Sequence, residues 1–172
     1  MFRQTGVIGV DTLEQLFDNG RLIADQPVPA GDGVVVLGNS DGAVTLAADA
    51  CLAAGLQLVP LAPGGPNHGN PIDLTYQADA AAYRAAIERV SADPRVHAVM
   101  VIHTPPHLEL DDDFVEVVLD SAAASPELTF AVTMLGAAGR GRLERDGVAV
   151  PIFRFPEDAA RAIGRLSDYR AW

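Results

Sequence analysis

The segment Gly33-Val34-Val35-Val36-Leu37-Gly38-Asn39-Ser40-Asp41-Gly42 decides the fold of this chain. Its first six residues form a continuous apolar run, which is typical of a strand buried on both faces of a parallel sheet. A short polar loop follows, and the alanine-rich stretch after it ends at Gly55, a residue suited to the position beyond a helix. The pattern predicts a strand, a tight turn and a helix, which is the repeating unit of an α/β protein.

Further strand and helix signals alternate along the rest of the chain. Strands are predicted at 56–61, 97–102, 128–134 and 148–153, and helices at 79–91, 111–125 and 156–169. Such alternation requires right-handed crossovers and a parallel sheet covered on both faces. We therefore predict a flavodoxin-like three-layer fold with five parallel strands in the order 2-1-3-4-5. The segment 136–147 is predicted to be irregular.

An additional helix is predicted before the first strand. Asp11-Thr12-Leu13-Glu14 has the spacing of a capping box with Asp11 as the cap. Pro27 and Pro29 end this helix and form a short linker. We expect residues 1–29 to be an N-terminal helix and linker, and residues 30–172 to be the main domain. The helix carries an apolar stripe of Leu13, Leu16, Phe17 and Ile23.

Composition narrows the possible functions. The chain has 172 residues and a net charge of −11, and all 12 of its basic residues are arginines. Without lysine there is no Walker-type phosphate loop and no Schiff base. The negative charge argues against nucleic acids and anionic membranes as main partners. No apolar leader or membrane-length segment is present in the sequence, so a cytoplasmic location is expected.

The single cysteine, Cys51, allows no disulfide framework and no cysteine cluster for zinc. It lies in an apolar, alanine-rich stretch, and nothing near it would lower its pKa. We predict a buried position in the second helix rather than a catalytic thiol.

Two loops are expected side by side at the carboxyl edge of the sheet, namely 38–43 and 103–107. The first opens a helix, whose free N–H groups and dipole can hold a phosphate. The alternative is structural, because Ser40 or Asp41 can serve as the helix N-cap. Asp41 also opposes an anion at this position, since its carboxylate would occupy the same field.

The order of several segments resembles the NDP-forming acyl-CoA synthetases, the superfamily that includes succinyl-CoA synthetase. The most characteristic of them is Gly69-Asn70-Pro71-Ile72-Asp73-Leu74, and the Gly-Asn-Ser sequence at 38–40 is similar to the actinobacterial branch, often fused to an acetyltransferase. The resemblance covers nearly the whole chain, through residues 4–18, 35–40, 46–50, 69–74, 93–99 and 155–159.

The resemblance implies the second flavodoxin-like ligase domain, which has a succinyl-CoA synthetase-like fold. In that family it follows a CoA-binding domain and a first flavodoxin-like domain, and in many members it precedes an ATP-grasp module. The family converts acyl-CoA, NDP and phosphate to acid, CoA and NTP through a phosphohistidine. CoA, nucleotide and Mg are implied for the full enzyme, and none of them for this domain alone. No segment matches the loop of the active-site histidine, so His68, His97, His103 and His107 inherit no catalytic role.

The family loop that matches 38–44 commonly reads Asn-(Ala/Ser)-Gly-Gly-Pro-Gly and helps to cradle the phosphohistidine. The resemblance therefore implies phosphate contacts for Asn39, Ser40 and Gly42, although Asp41 replaces a glycine and Ala43 the proline. Asp73 matches a family motif, and we favour a cap and loop brace over a ligand contact. The remaining candidates for loop contacts at the same edge are His103 and Thr104.

Two other groups have weaker signals. His103 and His107, with Glu109 and 111–113, are metal-ligand types, but their spacing fits no standard site, so we predict a solvated loop and no metal. The irregular segment also carries three arginines, Arg140, Arg142 and Arg145. They could contact a CoA phosphate or an acidic partner, but we again favour a solvated loop.

The leading hypothesis is a domain of an NDP-forming acyl-CoA synthetase. It would dock on the CoA-binding and phosphohistidine domain, offer a helix N-terminus to the phosphorylated loop, and be inactive alone. The alternative is a non-catalytic interaction or ligand-sensing module with a degenerate phosphate loop. A third possibility is a piece of a longer polypeptide, since Met1 and Phe2 begin in the middle of the resemblance.

Overall fold

Strands and helices alternate as predicted in the computed structural model, which describes residues 6–61, 69–104, 112–135 and 141–172. The helices are α1 (Leu13–Asp25), α2 (Asp41–Ala53), α3 (Ala80–Ser91), α4 (Asp112–Ala124) and α5 (Pro156–Ala171). The strands are β1 (Gly33–Gly38), β2 (Gln57–Leu58), β3 (Ile72–Asp73), β4 (Ala98–His103), β5 (Thr129–Met134), β6 (Arg142–Arg145) and β7 (Val148–Phe153).

The sheet order is β2-β1-β4-β5-β7-β6, with β3 also paired to β1. The predicted order of the five main strands is therefore confirmed, but the sheet contains two strands more than predicted. One of them is β6, which pairs antiparallel with β7 in the segment predicted to be irregular. Asp146 and Gly147 make the turn between them with φ of 51° and 82°, and Asp-Gly is the pair that such a two-residue hairpin prefers.

The second strand is shorter than the predicted 56–61, because β2 covers only Gln57–Leu58. Beyond it, the side chain of Asn70 takes the place of a paired strand on β1. Its Oδ1 accepts from Val36 N at 3.0 Å, and its Nδ2 donates to Val34 O at 2.8 Å and Val59 O at 3.2 Å. The second additional strand, β3, then continues the pairing at Leu37 and Gly38.

Apolar side chains fill the space on both faces of the sheet. Val35 and Leu37 of β1 pack toward α3 and α4, whereas Val34 and Val36 pack toward α2 and α5. The second layer contains Cys51, whose Sγ lies 3.3 Å from the Met100 Sδ. Cys51 is fully buried on α2, so its predicted buried position in the second helix is confirmed, and burial raises the pKa of its thiol to about 12.

Helix α1 lies against α5 and β7, and its N-cap is one residue later than predicted. Thr12 is the cap, and its Oγ1 accepts from Gln15 N at 3.2 Å. The Gln15 side chain accepts in turn from Asp11 N at 3.0 Å, so Thr12 and Gln15 form a variant of the capping box in which the return bond goes to the residue before the cap. The apolar stripe predicted for this helix faces outward rather than toward the sheet.

Within the part of the chain that the structure describes, no helix is both long enough and apolar enough to span a membrane.

Candidate functional site

The carboxyl ends of β1 and β4 lie next to each other, which brings the two predicted loops together. Gly38 pairs with Ile102, and a Cβ at Gly38 would lie 2.5 Å from the Ile102 carbonyl oxygen. The Asn39 side chain then bonds to Thr104, the residue that follows β4. It donates to Thr104 O at 3.0 Å and accepts from Thr104 N at 2.8 Å. Asn39 is 3% exposed, and its side chain connects the two loops.

Helix α2 begins directly after this connection and has an open N-terminus. Ser40 occupies the N-cap position, but its hydroxyl makes no capping hydrogen bond. The first main-chain bond within the helix runs from Val44 N to Ser40 O at 3.0 Å, so the N–H groups of 41–43 have no acceptor inside the helix. A Cβ at Gly42 would have no atom within 4 Å. The first turn can therefore be approached from solvent.

Asp41 is the exposed first residue of that turn. Its carboxylate stabilises the positive end of the helix dipole and opposes an incoming anion. No lysine or arginine occurs in 38–44 or at 103–104, and these segments offer donors such as main-chain N–H groups and the hydroxyls of Ser40 and Thr104.

His103 is the last residue of β4 and is buried, so the prediction that it lies in a solvated loop is wrong. Its ring stacks on Phe114 at a centroid distance of 4.1 Å and an interplanar angle of 15°. The Tyr83 hydroxyl donates to Ile102 O at 2.8 Å and lies 3.3 Å from the His103 Nδ1. The histidine is thus part of a packed aromatic cluster beneath the loops.

Burial raises the pKa of the Tyr83 hydroxyl well above its usual range, although the Asn39 main-chain N–H opposes the shift. The Asp73 carboxylate raises that pKa further. A neutral Tyr83 can therefore support the ends of β1 and β4 across the whole physiological pH range.

Asp73 and Thr104 line the same edge. Asp73 Oδ1 accepts from Thr75 N at 2.8 Å, which is the two-residue pattern of an Asx turn and matches the brace that we favoured. Thr104 Oγ1 is buried and has no hydrogen-bond partner among the described residues. Ligand contacts for Asn39, Ser40, Gly42, Asp73, His103 and Thr104 stay predictions.

The arginines of the last hairpin are engaged with acids of this chain. Arg142 lies 2.6 Å from Glu144 and 3.3 Å from Asp25. Arg145 pairs with Asp120 of α4, and Arg140 lies outside the described residues. These ion pairs leave the two described guanidinium groups poorly placed to serve a distant anion.

Across residues 6–61, 69–104, 112–135 and 141–172, no group of three or more His, Cys, Asp or Glu could hold a metal ion. His107, Glu109 and Asp111, which belonged to the weak metal pattern, lie outside these ranges.

Relatives of the chain are ADP-forming acid–CoA ligases. The chain is 25% identical, over 185 aligned positions, to the 4-hydroxybutyrate–CoA ligase [ADP-forming] of Nitrosopumilus maritimus, covering 100% of the chain and 26% of that protein. It is 28% identical, over 187 positions, to the acetate–CoA ligase [ADP-forming] I subunit alpha of Pyrococcus furiosus, covering 99% of the chain and 40% of that subunit. No family model matches the chain.

The assignment to the superfamily of NDP-forming acyl-CoA synthetases is confirmed. The flavodoxin-like fold is confirmed as well. The acetyl-coenzyme A synthetase 1 of Candidatus Korarchaeum cryptofilum superposes with a TM-score of 0.80 at 21% identity, covering 99% of this chain and 41% of that one. The chain thus spans well under half of these synthetases, and its assignment to the actinobacterial branch stays a prediction.

Two residues that hold this part of the synthetase fold together were missed by the sequence analysis. Asn70 lies in the family motif, but a role was predicted only for Asp73, the ionisable residue of that motif. Tyr83 looks like an ordinary core position on α3, and only the packing of α3 on the sheet brings Ile102 O within reach of its hydroxyl. The Asn70-Pro71 pair, which follows the second strand along the chain, was the sequence feature that could have indicated a structural role for Asn70.

Proposed function

We propose that this chain is a domain of an NDP-forming acyl-CoA synthetase that docks on a CoA-binding and phosphohistidine-bearing domain and presents the N-terminus of α2 to the phosphorylated loop. The observation that carries the proposal is the open first turn of α2, uncapped by Ser40 and accessible at Gly42. Such a turn binds phosphate through main-chain N–H groups and the helix dipole.

The residues that hold the first turn of α2 in place also favour phosphate binding at that turn. A phosphate held by main-chain N–H groups requires a fixed backbone, and the paired bonds of Asn39 to Thr104 fix the point where β1 becomes α2. Tyr83 and the stacked His103 and Phe114 brace the neighbouring strand end from below. We therefore propose that Asn39 supports the phosphate site, with its side chain on Thr104 and its main-chain N–H toward the Tyr83 hydroxyl, and that the phosphate contacts come from Ser40 and Gly42.

The remaining chemistry is proposed to reside in partner domains of the same system. CoA would bind to the CoA-binding domain, and nucleotide with Mg to an ATP-grasp domain. One solved state of the Korarchaeum enzyme is a complex with phosphate and ADP. This chain would be inactive alone, with residues 30–172 as the docking domain and 1–29 as a helix and linker in front of it.

Asp41 is the residue that tests the proposal. We expect inorganic phosphate to shift the amide NMR signals of residues 40–44 and to bind Asp41→Gly and Asp41→Asn about two- to fivefold more tightly than the original chain, because a charge beside a helix end contributes about 0.3–1 kcal/mol. Asp49→Asn is the matched control, since it removes the same charge from the exposed middle of the same helix.

A phosphopeptide repeats the titration with a ligand closer to the phosphorylated loop. Equal affinity for all four proteins, or no shift at residues 40–44, would remove the phosphate role. The interaction module with a degenerate loop would then be the better description.

A further inference from the structure

Helix α1 presents a continuous apolar face to solvent. Leu13 is 73% exposed and Phe17 67%, and both Leu16 and Ile23 are about half exposed. The exposed residues Gly20 and Ala24 complete the face. At about 100° per residue, these six positions cover roughly 120° of the helix without a charged side chain.

The opposite face of α1 is largely polar, although it is the one that lies on the protein. Arg165 Nη2 donates to Gln15 Oε1 at 2.6 Å, Asn19 is buried, and Arg21 Nη1 donates to Ile152 O at 2.9 Å. Leu22 is the fully buried apolar residue of this face. The outward stripe therefore does nothing for the isolated domain, and its exposure costs free energy unless another surface covers it.

The spacing of the stripe matches one kind of cover. The helix positions of Leu13, Leu16 and Phe17 repeat seven residues later, where Gly20, Ile23 and Ala24 stand. This is the a-d-e pattern of a helix that packs along another helix. Large side chains occupy the first half of the stripe, and two of the three equivalent positions in the second half are small.

We propose that the stripe is covered by α1 of a second copy of this chain, running antiparallel about a two-fold axis. With the axis between Asp18 and Asn19, Phe17 lies opposite Gly20 of the other helix and Leu13 lies opposite Ala24. Leu13 and Phe17 then each meet a small side chain, which allows close approach along the centre of the stripe, while Leu16 lies beside Ile23 of the other helix at its border; the face is thus complementary to itself. A parallel pair would instead set Phe17 against Phe17 and leave Gly20 against Gly20.

Charges at the border of the stripe agree with this arrangement. Glu14 and Arg21 lie on the same flank of α1, and an antiparallel two-fold pair places each flank beside itself. Glu14 of one helix then lies near Arg21 of the other, and the pair occurs twice. The Arg21 guanidinium also donates to Ile152 O and Gly141 O and lies 4.0 Å from Asp18, and its five N–H groups leave donors for Glu14.

Area and net charge set the strength of the dimer. One pair of 13-residue helices buries less than the roughly 800 Å² per partner of a standard interface, so the dimer should be weak and concentration-dependent. Two chains of charge −11 also repel each other. Salt screens that repulsion and also the two Glu14–Arg21 pairs, but exposed ion pairs contribute little while apolar packing stays intact, so the dimer should strengthen as NaCl is added. This inference does not depend on the proposed phosphate role.

Sedimentation velocity of the 172-residue chain over a concentration series, at low and high NaCl, tests the proposal. We expect a monomer–dimer equilibrium that shifts toward dimer in high salt. Phe17→Asp should weaken it about thirtyfold or more, as expected for a central apolar contact. Leu52→Asp is the control, because Leu52 is 56% exposed on α2 and lies outside the stripe. Unchanged circular dichroism melting of both variants shows that the fold is retained.

A cysteine pair tests the direction of the helices. In a Leu13→Cys/Ala24→Cys double variant, the antiparallel register places the thiol at position 13 opposite the thiol at position 24 of the other helix, and mild oxidation should give a covalent dimer. The single variants Leu13→Cys and Ala24→Cys should give none, because a covalent dimer of a single variant requires the like-against-like contact of a parallel pair, and such a dimer would overturn the antiparallel arrangement. Positions 13 and 24 of one helix are about 16 Å apart, too far for an internal disulfide. A chain that stays monomeric at high concentration and salt, a dimer insensitive to Phe17→Asp, or a double variant that forms no covalent dimer would each overturn the proposal.

Discussion

Helices α1 and α3 are both amphipathic, yet they lie on the protein with opposite faces. Helix α3 buries Tyr83, Ala86, Ile87 and Val90 against the sheet and α4, and exposes Glu88. Helix α1 turns a polar face inward and an apolar face outward. The periodicity of apolar residues therefore identifies a helix without stating which side of it meets the core, because an outward apolar face is stable when a partner covers it.

The two helices are accordingly held by different forces. Helix α3 is held by apolar burial, and its N-terminus is capped by Asp79 Oδ1, which accepts from Ala82 N at 2.9 Å. Helix α1 is held chiefly by hydrogen bonds, the most connected of which belong to its C-cap residue Gln26. Gln26 Nε2 donates to Ala149 O at 2.5 Å, and its Oε1 accepts from Phe130 N at 2.7 Å. Its side chain thus joins β5 and β7 where the two strands do not pair directly.

The largest expected effect comes from truncating the buried face of α3. Ile87→Ala should lower the free energy of unfolding by about 2–5 kcal/mol, because it removes fully buried methyl groups and leaves a cavity. Phe17→Ala removes a larger side chain from the exposed face of α1 and should change stability by about 0.5 kcal/mol or less in the monomer. Urea unfolding at low protein concentration measures both. Equal losses would mean that Phe17 packs within its own chain.

A smaller loss is expected from removing the polar anchor of α1. Gln26→Leu leaves Ala149 O and Phe130 N without their partner, and each such group that stays desolvated costs about 1–3 kcal/mol. Amide exchange of Phe130 should accelerate more than that of its neighbours in β5. The matched control is Gln57→Leu, which removes only an exposed bond to Asp32. If the two variants were equally stable, apolar contacts rather than Gln26 would hold α1.

Much of the fold follows from local signals in the sequence. The apolar run at 33–38, the helical stretch at 79–91 and the terminating Gly55 are local signals, and the elements they predict are present. Strand β6 was missed although Asp146-Gly147 is a hairpin signal, because Arg142, Glu144 and Arg145 leave Leu143 as the buried position of an edge strand. Such a strand lacks the apolar content on which the prediction of the other strands depended.

The candidate site was predictable in position and less so in detail. Strand order placed residues 38–43 beside 103–104, and the register of β1 and β4 agrees. The orientation of Asn39 toward Thr104, and of Asn70 toward three main-chain groups, depends on backbone atoms far away in sequence. Side-chain type alone does not reveal whether an amide faces a ligand or completes a sheet, and His103 was misplaced for the same reason.

The smallest expected effect on stability comes from removing the charge of Asp18, which lies on the inward face of α1. Burial raises the pKa of Asp18, and the nearby Asp158 raises it further, while Arg21 opposes the shift. A carboxyl group whose pKa is higher in the folded protein destabilises that state when ionised. Asp18→Asn should therefore be slightly more stable than the original chain at pH 7. The gain should shrink as the pH falls through the raised pKa and vanish below the ordinary value of 3.8.

Asp93, two residues beyond the end of α3, provides a control of opposite sign. Its hydrogen bonds with Arg95 lower its pKa to about 2, so its ionised form stabilises the fold. Asp93→Asn should thus be less stable than the original chain at pH 7, and this deficit should disappear as the pH falls from about 4 to 2. Urea midpoints measured across this pH range for the three proteins report both differences. Asp93→Asn is expected to lose stability at pH 7. If Asp18→Asn lost stability as well, the ionised Asp18 carboxylate would stabilise the fold, and it would belong to the polar contacts that hold α1 on the protein.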